Sequence, residues 1–482
     1  METEYRQIER RGNTSWTHFF RQVLVALILW TFFINAGLVM GTITVAIPQL
    51  RKEANSTEAV SNEMASWLSS TASYSASINI FITIPFAHFI GRKFTMTFLA
   101  VSTFIVAAIM YFSKTAMHLL ICQLLLGMSV SANGSVFLLI LSEYSSPKYR
   151  GVFLTIKSAT FFWGMWIANA IGIFTKYQYT GLVGMFCSGY SIIITLIIPE
   201  SPYWLAFKVR YDECAVAHRW LKGVDEDAET ELEVLIKSQK ENDQNVSSVK
   251  SLRKYLINCL TAVKQPEVYK PLLLCCLVAS IYSLSGKLVC AMYAIEMMKK
   301  ITENQSTVYI GVLILDGFTV LGMYVGCGLS KILKRRTLLL STSITGTTFL
   351  FAMCIYLYLI KLSVLPDNDY IIISMLVGYS ISVCCGPMIL STSISAELLP
   401  MRCRSVCVFL YSVLSLTLMS TILKVSPYVF NSYGFHGAYL CFGICSAIVI
   451  TLMYKYVPET KDRTLHEISE MFKPKQRKKV TQ

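Results

Sequence analysis

Long apolar runs alternate with short polar stretches along most of the chain. A helix needs about 20 apolar residues to cross the hydrocarbon core of a bilayer. Twelve runs approach or exceed this length: 23–47, 67–90, 94–112, 117–141, 152–174, 181–198, 271–297, 308–329, 338–360, 371–394, 406–425 and 438–456. The pattern therefore predicts an all-α membrane protein with twelve transmembrane helices, which we number spans 1 to 12.

A polar segment between spans 6 and 7 divides the chain into two similar halves. Span 6 ends at Pro199-Glu200 and span 12 at Pro458-Glu459, so a proline followed by a glutamate closes each half. This echo indicates an internal repeat of six spans. The predicted parts are a tail over 1–22, a six-helix bundle over 23–205, a linker over 206–268, a second six-helix bundle over 269–460 and a tail over 461–482.

Two apolar stripes recur at helical spacing within the linker. One consists of Ala228, Leu232, Leu235 and Ile236, and the other of Leu252, Leu256, Cys259 and Leu260. They predict amphipathic surface helices that lie against the inner face of the bundles. A flexible linker is the alternative, and the polar composition of 241–248 favours it there.

The composition agrees with a membrane protein and excludes several other classes. The chain of 482 residues is 54% hydrophobic and 15% charged, with a mean hydropathy of +0.52, which is far more apolar than a single soluble core requires. Nearly all of the fifteen cysteines lie inside spans and are expected to act as packing residues. There is no nucleotide-binding loop, metal-ligand spacing or nucleophile motif, so we expect no enzyme activity, no cofactor and no metal.

The net charge of +14 indicates orientation, not nucleic-acid binding, because the basic residues cluster beside the spans. The strongest clusters are in the N-terminal tail, at Arg92-Lys93, at Lys148 and Arg150, at 331–336, at Arg402 and Arg404, and at 473–479. Cytoplasmic loops carry such excesses. Both termini and the linker are therefore predicted to be cytoplasmic, and Asn55 and Asn304 become the candidate glycosylation sites on the outer side.

Five motifs follow the spans at their cytoplasmic ends. They are Gly91-Arg92-Lys93, Glu143 with Pro147 and Arg150-Gly151, Pro199-Glu200-Ser201-Pro202, Glu397 with Pro400 and Arg404, and Pro458-Glu459-Thr460-Lys461. Over 16–472 the chain resembles the sugar porters of the major facilitator superfamily. By loop lengths and Ala65-Ser66-Trp67 it is most similar to the facilitated trehalose transporters of insects. The resemblance implies the major facilitator fold, with two six-helix bundles and alternating access to a site between them.

The resemblance also implies a cytoplasmic gate of charged residues. Its members are Arg92, Glu143, Arg150 and Glu200 in the first half and Arg336, Glu397, Arg404 and Glu459 in the second. Pairs between the halves at the low-dielectric border would hold this face shut. The alternative is anchoring at lipid headgroups, which we expect for Lys93 and Arg335. The family's motif aspartate is replaced by His88 in the first half, and its second-half aspartate and glycine by Lys331 and Lys334.

The resemblance implies a solute cavity, in which this chain departs from the family. Most amide side chains that sugar porters use for vicinal hydroxyls are missing. The positions implied to line the cavity are Ser158, Tyr282, Ser283, Tyr293, Thr392 and Ser415. Two intramembrane charges stand beside them, Lys287 and Asp316, at a matched depth of roughly 15 Å. We predict that the two charges pair, either for solute recognition or for structure alone. Lys157 is expected to snorkel to the cytoplasmic surface.

Together these observations predict a facilitative transporter of a small solute, with a sugar such as trehalose or a hexose as the expected substrate. Span 1 has no acidic residue, which favours facilitated diffusion over proton coupling. A carrier of a non-sugar organic solute and a non-transporting sensor remain as alternatives. The expected setting is the plasma membrane, with the lipid bilayer and the solute as partners, no nucleic acid, and a monomer.

Overall fold

The computed structural model describes residues 2–54, 60–246, 265–301, 304–366, 368–398, 404–459, 461 and 472. The regular structure of these residues is entirely helical. In the first half the helices are α1 (Glu2–Glu53), α2 (Asn62–Phe89), α3 (Arg92–Tyr111), α4 (Ala116–Gly134), α5 (Val136–Tyr144), α6 (Pro147–Phe174) and α7 (Tyr179–Ile197). Span 4 is thus divided into α4 and α5 at Ser135.

Shorter helices follow, and then the second half. The former are α8 (Pro202–Phe207), α9 (Tyr211–Lys222) and α10 (Glu226–Val246). The latter are α11 (Pro266–Leu284), α12 (Lys287–Met292), α13 (Ala294–Ile301), α14 (Gln305–Ile332), α15 (Arg335–Lys361), α16 (Asp369–Val383), a π-helical turn (Cys384–Met388), α17 (Ile389–Leu398) and α18 (Arg404–Tyr456). Span 7 corresponds to α11 to α13, and span 10 to α16, the π turn and α17.

Nine helical segments of the described residues are long and apolar enough to cross a bilayer. The last of them contains two spans, because the backbone at Gly434 (φ +70°, ψ 179°) departs from helical geometry and joins two helices within α18. Helices α2 and α6 have 28 residues each, which is also enough for a crossing. Counting these gives the twelve predicted spans.

Contacts divide the chain into two compact units, one of residues 1–56 with 71–252 and the other of 57–70 with 253–482. The described part of the segment 57–70, residues 60–70, groups with the second unit, whereas the sequence pattern placed it in the bundle over 23–205, and the predicted domain bounds stay a prediction. Ser66 Oγ donates to the carbonyl of Lys424 at 2.8 Å, and Lys424 Nζ lies 3.8 Å from the centre of the Trp67 ring.

In the first unit, α1 and α6 cross closely. A Cβ atom on Gly37 or Gly164 would collide with the backbone of the other helix, so small residues permit this approach. One turn before Gly37, the ring of Phe33 faces the amino group of Lys157. The crossing thereby brings a lysine of α6 against the aromatic face of α1.

The first predicted linker stripe forms a small core. Ala228, Leu232 and Leu235 of α10 are buried, and the two leucines pack with Trp204 of α8 and Cys214 of α9. These are helices of the first unit. The second predicted stripe, from Leu252 to Leu260, lies outside the described residues.

Candidate solute site and cytoplasmic motifs

Span 7 is interrupted between α11 and α12. Gly286 has a left-handed backbone (φ +76°, ψ +10°), which glycine adopts without steric cost. The hydroxyl of Tyr379 donates to the Ser285 carbonyl at 2.5 Å and thereby satisfies one backbone group at the interruption. Discontinuous helices are typical of transporter binding sites, since they present backbone and side-chain groups at the depth of the bilayer.

Lys287 begins α12 directly after this interruption and is only 1% exposed. Its ammonium group donates to Thr319 Oγ1 at 2.9 Å and to Ser380 Oγ at 2.5 Å. The two hydroxyls lie 2.6 Å apart. The lysine is therefore held by hydroxyl groups of α14 and α16, and neither Thr319 nor Ser380 was expected from the sequence.

Asp316 lies one turn before Thr319 on α14 and is also 1% exposed. Both charged residues are therefore buried within the second unit, and their predicted depth of roughly 15 Å in the membrane stays a prediction. Lys287 and Asp316 both lie within electrostatic range of Cys384, which begins the π turn. Direct pairing of the two charges stays a prediction.

The other predicted cavity residues differ in exposure. Ser283 and Tyr293 are buried, whereas Ser158, Tyr282 and Ser415 are half-buried and Thr392 is exposed. The hydroxyls of Thr392 and Ser415 donate to carbonyls of their own helices, at 3.1 and 2.7 Å. These two bonds are intrahelical, so the structure gives no separate support for a solute contact at either residue.

A small cavity of the second unit adjoins the interruption. It has a volume of about 10 Å³, room for about one water molecule, and its polar lining residues are Ser285, Ser343, Thr347, Tyr379 and Ser446. Ligand pockets typically measure roughly 300 to 1,000 Å³. This cavity is accordingly too small to hold a whole disaccharide.

Glu200, of the motif after span 6, caps the start of α3. Its carboxylate accepts the backbone N–H groups of Arg92 at 2.8 Å, Lys93 at 3.1 Å and Ser201 at 2.8 Å. The first N–H groups of a helix have no partners within it, and a negative charge there is favourable. Burial raises the pKa of Glu200, and the three N–H groups and the Arg92 charge oppose that shift.

The side chain of Arg92 joins two further elements. It forms a two-pronged ion pair with Glu143 at 2.8 and 3.0 Å, and it donates to the Ala87 carbonyl near the end of α2 at 2.9 Å. Ser201 Oγ also donates to Glu143, at 2.6 Å. All of these contacts lie within the first half, so they brace that half internally.

The second half repeats the carboxylate cap. Glu459 accepts from the backbone N–H groups of Arg335 at 3.1 Å and Arg336 at 3.2 Å, the first two residues of α15, and from that of Lys461 at 3.0 Å. Arg336 also donates to the Tyr454 carbonyl. Lys93 makes the matching contact in the first half, with the Leu196 carbonyl at 3.0 Å.

By these contacts, Arg335 corresponds to Arg92 and Arg336 to Lys93. The sequence prediction assigned Arg336 to the gate and Arg335 to anchoring, and both assignments stay predictions. The side chains of Arg150, Glu397 and Arg404 lie outside the described residues, so their predicted places in the gate stay predictions. Asn55 is likewise outside them, while Asn304 is the N-cap residue of α14 and its side chain accepts from the Ser306 N–H at 3.1 Å.

The prediction for Lys157 is wrong. Its side chain is 8% exposed, so it does not reach the cytoplasmic surface. Its amino group donates to the Asn133 carbonyl at 3.3 Å and lies 4.5 Å from the centre of the Phe33 ring. Because span 4 is interrupted at Ser135, the Asn133 carbonyl is available to Lys157. The amino group of Lys157 therefore binds inside the bundle instead of extending to water.

Comparison with known proteins connects this geometry to a family. The sequence model of "Sugar (and other) transporter" matches residues 6–472. The chain belongs to this family. Facilitated trehalose transporter Tret1 of Polypedilum vanderplanki is 23% identical over 469 residues, covering 95% of this chain and 89% of the relative. The Tret1 protein of Apis mellifera ligustica is 22% identical over 481 residues, with coverages of 98% and 91%.

Solved structures support the same fold. The proton:xylose symporter XylE, bound to 6-bromo-6-deoxy-D-glucose, aligns with a TM-score of 0.75 at 13% identity, over 95% of this chain and all of that one. The inward-open XylE from E. coli aligns with a TM-score of 0.71 at 14% identity, with coverages of 95% and 100%. The predicted fold of twelve helices in two bundles is confirmed, and family membership makes the protein a membrane transporter and not an enzyme.

Proposed function

We propose that the protein moves a sugar, with trehalose or a hexose as the first candidates, across the membrane by facilitated diffusion with alternating access. Its family and the names of its relatives support a sugar. The observation that carries the proposal is the interruption of span 7 at Ser285 and Gly286. There the hydroxyls of Thr319 and Ser380 and the ammonium group of Lys287 lie within hydrogen-bonding distance of one another.

Flux measurements test this proposal directly. Purified protein is placed in vesicles, and entry of labelled trehalose and of labelled D-glucose is followed without any ion gradient. Saturable entry of either sugar, absent from protein-free vesicles, is expected. Binding without entry would instead support a sensor, and entry only of a non-sugar organic solute would support the other alternative.

The carboxylate caps Glu200 and Glu459 are proposed to support closure of the cytoplasmic face. A carboxylate fixes the start of α3 and of α15, so its removal frees a helix end at the face that must open. A cysteine in the inner vestibule should then react faster with a thiol reagent in Glu200→Ala than in the parent protein. Equal rates would leave the carboxylates as structural caps alone.

The proposed setting is the plasma membrane, with both termini cytoplasmic and with glycans on Asn55 and Asn304. The distribution of basic residues supports this orientation. If it is right, replacing both asparagines removes any mobility shift produced by a glycosidase. A shift that persists would indicate that another acceptor, such as Asn245 of the linker, faces outward. The proposed oligomeric state is a monomer, to be checked by the mass of the solubilised particle.

A further inference from the structure

The first half contains a buried lysine that the proposed sugar site does not use. Lys157 lies ten residues after the start of α6 at Pro147, or about 15 Å along the helix. Its side chain is 8% exposed. A charged group at this depth in a bundle is costly unless other groups compensate it.

The described residues compensate this charge only weakly. The ammonium group has three donors, and its only hydrogen bond within the described part of the chain is to the Asn133 carbonyl at 3.3 Å. The Phe33 ring adds a cation–π contact at 4.5 Å. Among the described residues, no carboxylate oxygen lies within 4.0 Å of the Lys157 amino group, the distance that defines a salt bridge. Lys287, by comparison, donates to two hydroxyls.

A second polar group beside Lys157 is incompletely satisfied. The side chain of Asn133 is 6% exposed, and its Oδ1 atom has no hydrogen-bond partner among the described residues. The next residue, Gly134, ends α4 and borders open space, because a Cβ atom there would meet nothing within 4 Å. An amide acceptor and an ammonium donor therefore belong to two residues that are in contact beside a break in a helix.

We propose that Lys157 and Asn133 form a subsite for a hydroxylated carboxylate, such as a sugar acid. The ammonium group would bind the carboxylate, and Asn133 Oδ1 would accept from a hydroxyl of the same molecule. This inference rests on the proposed transport of sugar-like solutes and narrows their class. If there were no such subsite, Lys157 would serve only to neutralise the carbonyl end of α4, a structural role that requires no anion.

D-glucuronate is the probe, with D-glucose as its uncharged counterpart. Binding is measured as the thermal stabilisation of the solubilised protein, and transport as inhibition of labelled glucose entry into vesicles. The parent protein should bind glucuronate at least tenfold more tightly than glucose. Lys157→Met should lose at least tenfold in glucuronate affinity while its glucose affinity changes by less than twofold.

Two further variants make the test robust. Lys208 is an exposed lysine whose amino group lies 5.6 Å from the Trp204 ring centre, so Lys208→Met is the matched control and should behave as the parent. Asn133→Asp supplies a carboxylate within the protein, beside Lys157. It should fold, because the charges balance, and should bind glucuronate at least tenfold more weakly.

The outcomes separate this inference from the proposed function. If glucuronate binds through Lys157 but no solute crosses the membrane, transport fails and the subsite stands. If glucose is transported while glucuronate neither stabilises the protein nor inhibits entry, the subsite is refuted. It is also refuted if Lys157→Met and Asn133→Asp both fold and bind glucuronate as tightly as the parent.

Discussion

Glu200 and Glu459 occupy equivalent positions in the two halves, yet the groups around them differ. Each carboxylate accepts the first two backbone N–H groups of the helix that follows a motif loop. In the first half, the side chain of Arg92 also donates to the Ala87 carbonyl near the end of α2. In the second half, Lys461 contacts the end of α14 through the carbonyls of 331–333.

The difference shows which part of the motif the repeat retains. The caps use backbone N–H groups, which any residue except proline supplies, so they tolerate the replacement of the family's aspartates and of its second glycine. At the replaced aspartate, the ring of His88 lies 4.8 Å from that of Phe207, and its carbonyl accepts from Trp204 at 2.9 Å. Aromatic packing takes the place of a charge there.

The buried lysines provide a second comparison of the halves. Lys287 has hydroxyl partners and a nearby buried carboxyl group, Asp316, whereas Lys157 has a carbonyl and a ring. A buried lysine whose charge is compensated by groups of the protein, as at Lys287, serves the structure or positions a solute. A buried lysine with fewer such partners, as at Lys157, has N–H donors left to bind a ligand.

The largest effect is expected at Lys287. Lys287→Met should lower the free energy of unfolding by about 3 to 5 kcal/mol, because it would leave Asp316 buried without that counter-charge. The double change Lys287→Met with Asp316→Ala should recover most of the loss. Thermal unfolding of the solubilised variants measures this, and a double variant no more stable than the single one would reject the pair. Sugar flux in a folded double variant shows whether the pair serves recognition or structure.

The ion pair of the first half should follow. Arg92 and Glu143 have side chains only 14% and 11% exposed, so Arg92→Met should cost about 3 kcal/mol by leaving a carboxylate poorly compensated. Lys461→Met is the matched change in the second half, where the lysine's three carbonyl contacts are exposed to solvent, and it should cost less. Equal losses in unfolding experiments would remove the distinction between the two halves.

The spans were predictable from the sequence, because the length of an apolar run is a local property that the bilayer fixes. Counting residues along spans 7 and 8 also predicts a matched depth for Lys287 and Asp316, and this depth stays a prediction although both residues are buried. Thr319 could have been found, since it lies one turn from Asp316, whereas serines such as Ser380 are too common in these spans to stand out. The burial of Lys157 was missed because periodicity gives depth but not whether a side chain has a route to water.

The carboxylate caps were missed for a different reason. Glu200 is more than one hundred residues from the start of α3 in the sequence, so its contact with Arg92 and Lys93 depends on how α7 packs against α3. Local spacing carries no signal for such a contact. The repeated proline and glutamate after spans 6 and 12 did indicate equivalent roles, but the motif's charge suggested side-chain pairing where the structure has backbone caps.

A smaller effect is expected from removing either cap. Glu200→Ala and Glu459→Ala should each lower the free energy of unfolding by about 1 kcal/mol, the usual contribution of a helix cap. The two losses should be similar, because both carboxylates accept the same N–H groups of their helices. If only Glu200→Ala is destabilising, the two caps have the same geometry but do not contribute equally to the free energy of unfolding. Glu233→Ala, at an exposed position of α10, is a suitable control.

The smallest effect concerns pH and depends on Glu200. Burial raises its pKa in the folded protein above that in the unfolded chain, so the folded protein binds the extra proton between those two values. Stability from this group should therefore fall as the pH rises through that window, starting near the ordinary glutamate value of about 4.3. The fall in melting temperature between about pH 4 and 7 should be smaller in Glu200→Gln than in the parent protein.

Glu229 is the control of opposite sign, because its bond to Arg219 lowers its pKa, and stability due to it is lost as the pH falls. A slope unchanged by Glu200→Gln would mean that the cap remains ionised throughout and that the burial of its carboxylate has no effect on proton binding.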